Sequence, residues 1–256
     1  MGKQKKNGKF RDRIPAFVLA AALLAAWQTA SGIVNIQHIF PGPWQILKRT
    51  WELRGTLVLR QLPYTMAAAL GGWAIAIVLA VAIAVLMSRS RIFEAMFYPV
   101  LIVTQTIPVM CIAPLFVLWM GYTTEARLIV VVLSTFFGIT LNTFDGFRET
   151  DGGKKEMLRS MGASKAQIFF RLEVPSAFPR FLTSLRMTLP WAAADAAVAE
   201  WLGSTRGLGY FSRRMIIRMD GPAVFAPILI LCIVTVLGMV LLNAADRRFA
   251  AYRSEL

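Results

Sequence analysis

Two acids stand five residues apart in PWAAADAAVAEWLG, Asp195 and Glu200, with only apolar or small residues around them. A charge inside a membrane-length apolar run costs about 2.5–3.5 kcal/mol on insertion scales, so such a residue faces a cavity or a partner. Asp145 lies near the end of another apolar run, where water can solvate it. Other groups with ligating or catalytic chemistry are few. His38 is the single histidine and has no Cys/His partners at metal-ligand spacing, which argues against a zinc, haem or iron–sulfur centre. Cys111 and Cys232 each sit inside an apolar segment and read as small buried hydrophobes, not as a disulfide framework. No H-E-x-x-H helix and no G-x-x-x-x-G-K-[ST] phosphate loop occurs, so ATP is not hydrolysed here by that route. The residues do not describe an enzyme, and no cofactor is expected.

The most polar organised stretch is EMLRSMGASKAQIFFRLEVP, Glu156 to Pro175. KKEMLRSM has a helical pattern, and Gly162 is placed to end it in a left-handed conformation. Ser164 then opens a second helix, with Gln167 three residues on as its capping-box partner. Apolar residues at helical spacing in AQIFFRLEV let Ile168, Phe169 and Leu172 pack inward, and Pro175 is expected to end the helix. The result is a helix–turn–helix with a cationic tip.

The elements that must position these groups are read from apolar runs. Of 256 residues 57% are hydrophobic and 16% charged, against about 25% charged in soluble domains. Six spans are expected, at about 14–34, 63–87, 94–120, 126–147, 183–202 and 223–245. A basic leader, 1–13, precedes the first, whose apolar core exceeds the roughly 7–15 residues of a signal peptide. Pro41 and Pro43 break the chain before an amphipathic surface helix. Ala76, Ala80 and Ala84 form a small-residue stripe for close helix packing. In the third span Pro99, Pro108 and Pro114 each remove a backbone donor, so the helix must kink or break. The freed carbonyls then need protein or water partners. Gln105, Thr106 and Pro108 therefore either line a translocation path or mark a kink that serves packing alone.

The net charge of +14 does not form a patch interleaved with aromatics, so nucleic acid is not the expected partner. Basic residues cluster at span ends instead. With the N-terminus inside, 19 of the 28 Lys and Arg fall in inner segments and nine in outer ones, which supports cytoplasmic termini. The organisation expected is a leader (1–13), a membrane domain (14–245) holding a cytoplasmic loop (148–182), and a tail (246–256).

The loop resembles that of ABC importer permeases, E-A-A-x3-G-x9-I-x-L-P. Glu156, Gly162 and Pro175 fall at its spacings, with Met157 and Leu158 for the alanines and Leu172 and Val174 for the isoleucine and leucine. TQTIPVMCIAPLFVLWMGY, DGFRETDGGKKEMLRSMGAS and AEWLGSTRGLGYF are similar to the taurine, sulfonate and nitrate branch, and within it most to permeases for pyrimidine precursors of thiamine. The resemblance implies an all-α type I importer fold of six transmembrane helices in the bacterial inner membrane. It implies a second permease copy, a homodimer being expected, a cytoplasmic ABC ATPase dimer that binds the ATP, and an extracytoplasmic solute-binding protein. Coupling to the ATPase would fall to Glu156, Arg159, Gly162, Ala163, Ser164 and Lys165. Glu200 matches a family position, which favours a structural role, and it stands with Asp195 among the candidates for the translocation path. Asp195 stands where the family has a small residue, and it either pairs with an arginine or contacts solute. An aminopyrimidine is the implied substrate, with taurine or another alkanesulfonate, nitrate or riboflavin as alternatives. A carboxylate on the path would accept hydrogen bonds from the first and repel the anions. An ion-coupled secondary transporter is the rival class, but no repeat relates the two halves and the helix–turn–helix would have no role there.

Overall fold

A computed structural model describes residues 14–253; the leader 1–13 and the last three residues of the tail lie outside the described residues. Within them the chain is helical, with no strand. Helix α1 (Ile14–Val34) stands at the periphery, with only Ser31 buried, where its hydroxyl donates to the Phe40 carbonyl at 2.8 Å. Helix α2 (Pro43–Thr56) begins with proline, which needs no partner for a missing N–H in a first turn. It passes through a π-helical turn (Leu57–Gln61) into α3 (Leu62–Arg89) without a break. The continuous 47 residues would reach about 70 Å, more than twice the hydrocarbon thickness, so the polar α2 half projects beyond it.

The expected third span is two helices. Helix α4 (Arg91–Thr104) and helix α5 (Val109–Met120) meet at 96°. Pro99 and Pro114 are accommodated inside these helices, and the break falls at Gln105–Pro108. There the Thr106 hydroxyl satisfies the Val103 carbonyl at 2.7 Å. Helix α6 (Thr124–Arg148) opens on a Thr123 cap, and the short α7 (Gly152–Ser160) and α8 (Lys165–Ile168) follow.

Pro175 does not end the second helix of the helix–turn–helix. A π-helical turn (Phe169–Glu173) carries α8 into α9 (Val174–Gly203), and the winding continues through Pro175, which follows directly on the widened turn. Helix α10 (Leu208–Ile217) and helix α11 (Gly221–Arg253) complete the chain.

The expected count of six spans is corrected as well. Among the described residues four helices are long and apolar enough to cross a membrane, or five if the bent pair is one span. The difference is 183–202, the interior of α9, whose Arg186, Asp195 and Glu200 lower its apolarity although it packs at the centre. Helix α6 lies between α3 and α9. The alanine stripe Ala76, Ala80 and Ala84 is fully buried, with Ala76 and Ala80 against Ile139 and Leu185 and Ala84 against Phe144. Cys111 and Cys232, expected to be buried, are exposed on the outer faces of α5 and α11. Helix α11 also runs through most of the expected tail, where Asp246 pairs with Arg186 of α9.

Candidate functional site

The helix–turn–helix forms from local signals. Asp151 caps α7 by accepting the Gly153 N–H at 2.8 Å. At its other end the Gly162 N–H reaches the Arg159 carbonyl at 2.9 Å and the Ala163 N–H reaches Leu158 at 3.0 Å. This paired closure needs a left-handed residue, and Gly162 supplies it at φ 82°. The next helix opens on a reciprocal box: Ser164 N–H to Gln167 Oε1 at 2.7 Å, and Gln167 N–H to Ser164 Oγ at 3.3 Å.

Of the six residues expected to couple, Glu156, Arg159, Gly162, Ser164 and Lys165 are exposed and Ala163 is half-buried. Met157, Met161 and Phe170 are exposed beside them, giving the cationic tip an apolar component that the charge pattern did not disclose. The base of the element is anchored. Ile168 and Phe169 are buried, Leu172 is half-buried, and the Phe169 ring packs on Phe147 with the Arg89 guanidinium 4.1 Å from its centroid. Lys155 and Glu173 close an ion pair at 2.8 Å.

A second feature is a recess on the side of the helical body. The α4–α5 break, α6 and α9 flank a partly open cavity of about 240 Å³ lined by Gln105, Ile107, Ser134, Phe137, Gly138 and Trp191, among others. Gln105 is thus on the cavity wall. Thr106 and Pro108 belong to the same break without lining the cavity. Asp195, one turn beyond Trp191 on α9, is half-buried and lies beside Ser134 of α6. The Ser134 hydroxyl donates to the Val131 carbonyl at 3.0 Å. Among the described residues no cation lies within ion-pair distance of Asp195, so the arginine pairing left open by the sequence is not made among them.

Glu200 is elsewhere and closed off. Its side chain is fully buried. Its Oε2 accepts from the Thr65 hydroxyl at 2.9 Å and the Gly209 N–H at 3.0 Å, and its Oε1 faces Arg127 Nη1 at 3.8 Å. Thr65 in turn accepts the Leu208 N–H at 2.9 Å. A Cβ on Gly207, whose φ is 107°, would fall 2.1 Å from the Glu200 carboxyl carbon. Glu200 therefore clasps α3, α6, α9 and α10 together and does not touch the cavity.

Comparisons with known proteins agree with this architecture. The sequence pattern of the family described as binding-protein-dependent transport system inner membrane component matches residues 72–251. The chain is 43% identical over 233 residues to the formylaminopyrimidine transport permease protein ThiX of Halalkalibacterium halodurans, covering 91% of this chain and 93% of that protein. It is 31% identical over 229 residues to the riboflavin transport system permease protein RibX of Chloroflexus aurantiacus, covering 88% and 85%. Its fold is similar to that of the MetNI methionine ABC transporter in inward facing conformations, with a TM-score of 0.61 at 20% identity, covering 81% of this chain and 96% of that one.

Proposed function

We propose that this chain, which belongs to the family of binding-protein-dependent transport system inner membrane components, imports a pyrimidine precursor of thiamine. It is a multi-pass membrane protein and the permease component of an ABC importer. In this reading it binds no nucleotide. A cytoplasmic ABC ATPase dimer hydrolyses ATP, a second copy of the chain completes the pathway, and an extracytoplasmic solute-binding protein delivers the solute. Residues 14–245 form the membrane domain and both termini are cytoplasmic.

One observation carries the coupling half of this reading: a doubly capped, exposed helix–turn–helix fixed rigidly to an otherwise apolar body. Such a tip, with Glu156, Arg159, Gly162, Ala163, Ser164 and Lys165 around its turn, fits a groove on a soluble partner. Support for the solute comes from the 43% identity to a formylaminopyrimidine permease across nine-tenths of the chain.

The test is reconstitution with the candidate ATPase and binding protein in proteoliposomes. An ATPase should copurify, and labelled aminopyrimidine should enter only with ATP. Uptake of taurine, nitrate or riboflavin but not the pyrimidine overturns the substrate. Uptake driven by an ion gradient without ATP overturns the ABC machinery.

A further inference from the structure

We infer that one face of α6, running from the cavity toward the coupling loop, is a solute track with two unpaired carboxylates, selective for neutral or cationic solutes bearing N–H donors. The inference rests on the permease reading and adds a route and a polarity to it.

The first observation is periodicity. Ser134, Gly138, Asn142 and Asp145 lie at i, i+4, i+8 and i+11. At 3.6 residues per turn they share an arc of about 80°, spread over about 16 Å of helix axis. All four are half-buried, as are Leu133, Phe137 and Leu141 on the same side. The opposite side, with Ile139, Thr140, Thr143 and Phe147, is buried. Helix α6 thus turns a packed face inward and a partly open, polar face outward. Lipid does not solvate a face bearing Asn and Asp, so a pathway or a protein must cover it.

The second observation is the pairing of charges. Seven described acids, Glu52, Glu94, Glu149, Glu173, Glu200, Asp220 and Asp246, each have a basic partner. Of the remaining described acids, Glu125, Asp151 and Glu156 are exposed at helix ends or in the loop. Asp145 and Asp195 are the half-buried ones with no ion pair among the described residues. Both border the same surface: Asp145 is on the open face of α6, and Asp195 lies on α9 one turn from Trp191, which lines the cavity together with Ser134. Asn142 donates its own amide to the Gly138 carbonyl at 2.8 Å, which leaves its Oδ1 free to accept. The open groups along the track are therefore acceptors: the Asp195 carboxylate beside the cavity, then Asn142 Oδ1, then the Asp145 carboxylate. Trp191 and Phe137 add flat apolar walls at the cavity. Acceptors beside aromatic walls suit a planar ring with amino substituents, and two uncompensated negative charges disfavour an anion.

The test uses the full transporter with Cys111 and Cys232 replaced by alanine. A single cysteine is placed at Ser134 or Asn142, and its reaction with a cationic and an anionic methanethiosulfonate of similar size is timed. The cationic reagent should be favoured more than tenfold over its ratio with a free thiol in solution. Asp195→Asn with Asp145→Asn should bring that preference close to the solution value. In the cysteine-containing parent transporter, each single Asn variant should lower aminopyrimidine uptake several-fold while ATP hydrolysis persists. A ratio equal to that of a free thiol, or cysteines unreactive in every transport state, overturns the track. A normal charge preference with no aminopyrimidine uptake by the wild-type transporter leaves the track standing and overturns the proposed substrate instead.

Discussion

Asp195 and Glu200 occupy the same helix five residues apart, and their surroundings are opposite. Glu200 is sealed, with a hydroxyl, a backbone N–H and a guanidinium around it and a glycine pared to fit against its carboxylate. Asp195 is partly open, has no ion pair among the described residues, and stands one turn from Trp191, which lines the cavity. A charge taken from water must be compensated or put to use. Glu200 is held by two donors on Oε2, faces Arg127 across 3.8 Å with no hydrogen bond on Oε1, and joins four helices. Asp195 is left under-compensated at a place where a passing solute could supply the missing donors.

That contrast breaks most sharply at the sealed acid. Replacing Glu200 by Leu would strand Arg127, Thr65 and the Gly209 N–H in a dry interior, and losing one partner of a buried pair costs about 3–5 kcal/mol. The variant should lose most of its monodisperse, detergent-solubilised yield, and Gly207→Val should do the same from the other side of the contact. If either variant retains wild-type thermal stability, the clasp is not what joins α3, α6, α9 and α10.

The next largest effect is expected at the coupling turn. Gly162→Val forces a β-branched residue to a positive φ, at a cost of about 1–3 kcal/mol confined to an exposed turn. The protein should remain inserted while transport-coupled ATP hydrolysis is abolished. Normal coupled hydrolysis in this variant would refute docking through that turn.

Substitution at the open acid should be gentlest on the fold. Asp195→Asn keeps the shape and removes no ion pair, so its melting temperature should match wild type within the effect of about 0.5 kcal/mol typical of mild substitutions. A loss comparable to that of Glu200→Leu would show that Asp195 is structural.

The smallest perturbation sharpens the cavity itself. Cysteines at Gln105 and Thr106, in a background lacking Cys111 and Cys232, should react with water-soluble thiol reagents in at least one transport state. Gln105 should react faster because it lines the cavity and Thr106 does not. Protection of both in every state would make the α4–α5 break a packing device.

What could be read from the sequence divides along the same line. The caps of the helix–turn–helix are short-range, so Gly162 and the Ser164–Gln167 box were legible from spacing alone. The alanine stripe was legible for the same reason. Tertiary compensation was not. Nothing local says that Glu200 meets Thr65 from 135 residues away, or that Ser134 in VVVLSTFF lies beside Asp195. The signal that could have revealed the open face of α6 was the i, i+4, i+8, i+11 spacing of small and polar residues, hidden by the apolar residues between them. Pro175 misled because a proline ends one helix or begins another with equal ease, and the π-helical turn before it keeps the backbone winding. The span count failed at α9 because a centrally packed helix in a membrane can carry charge that a lipid-facing one cannot.

The unbroken winding from Lys165 to Gly203 also has a mechanical side. Thirty residues of helix separate the coupling turn from Asp195, a contour of about 45 Å. Pulled at the helix–turn–helix and pivoted near the Glu200 clasp, this element is a lever whose long arm ends where force would enter. Asp195 sits about 7 Å from the fulcrum, so a displacement of several ångströms at the turn shrinks to about one at the cavity wall. A movement that small is enough to make or break a hydrogen bond, and too small to open the helical body around it.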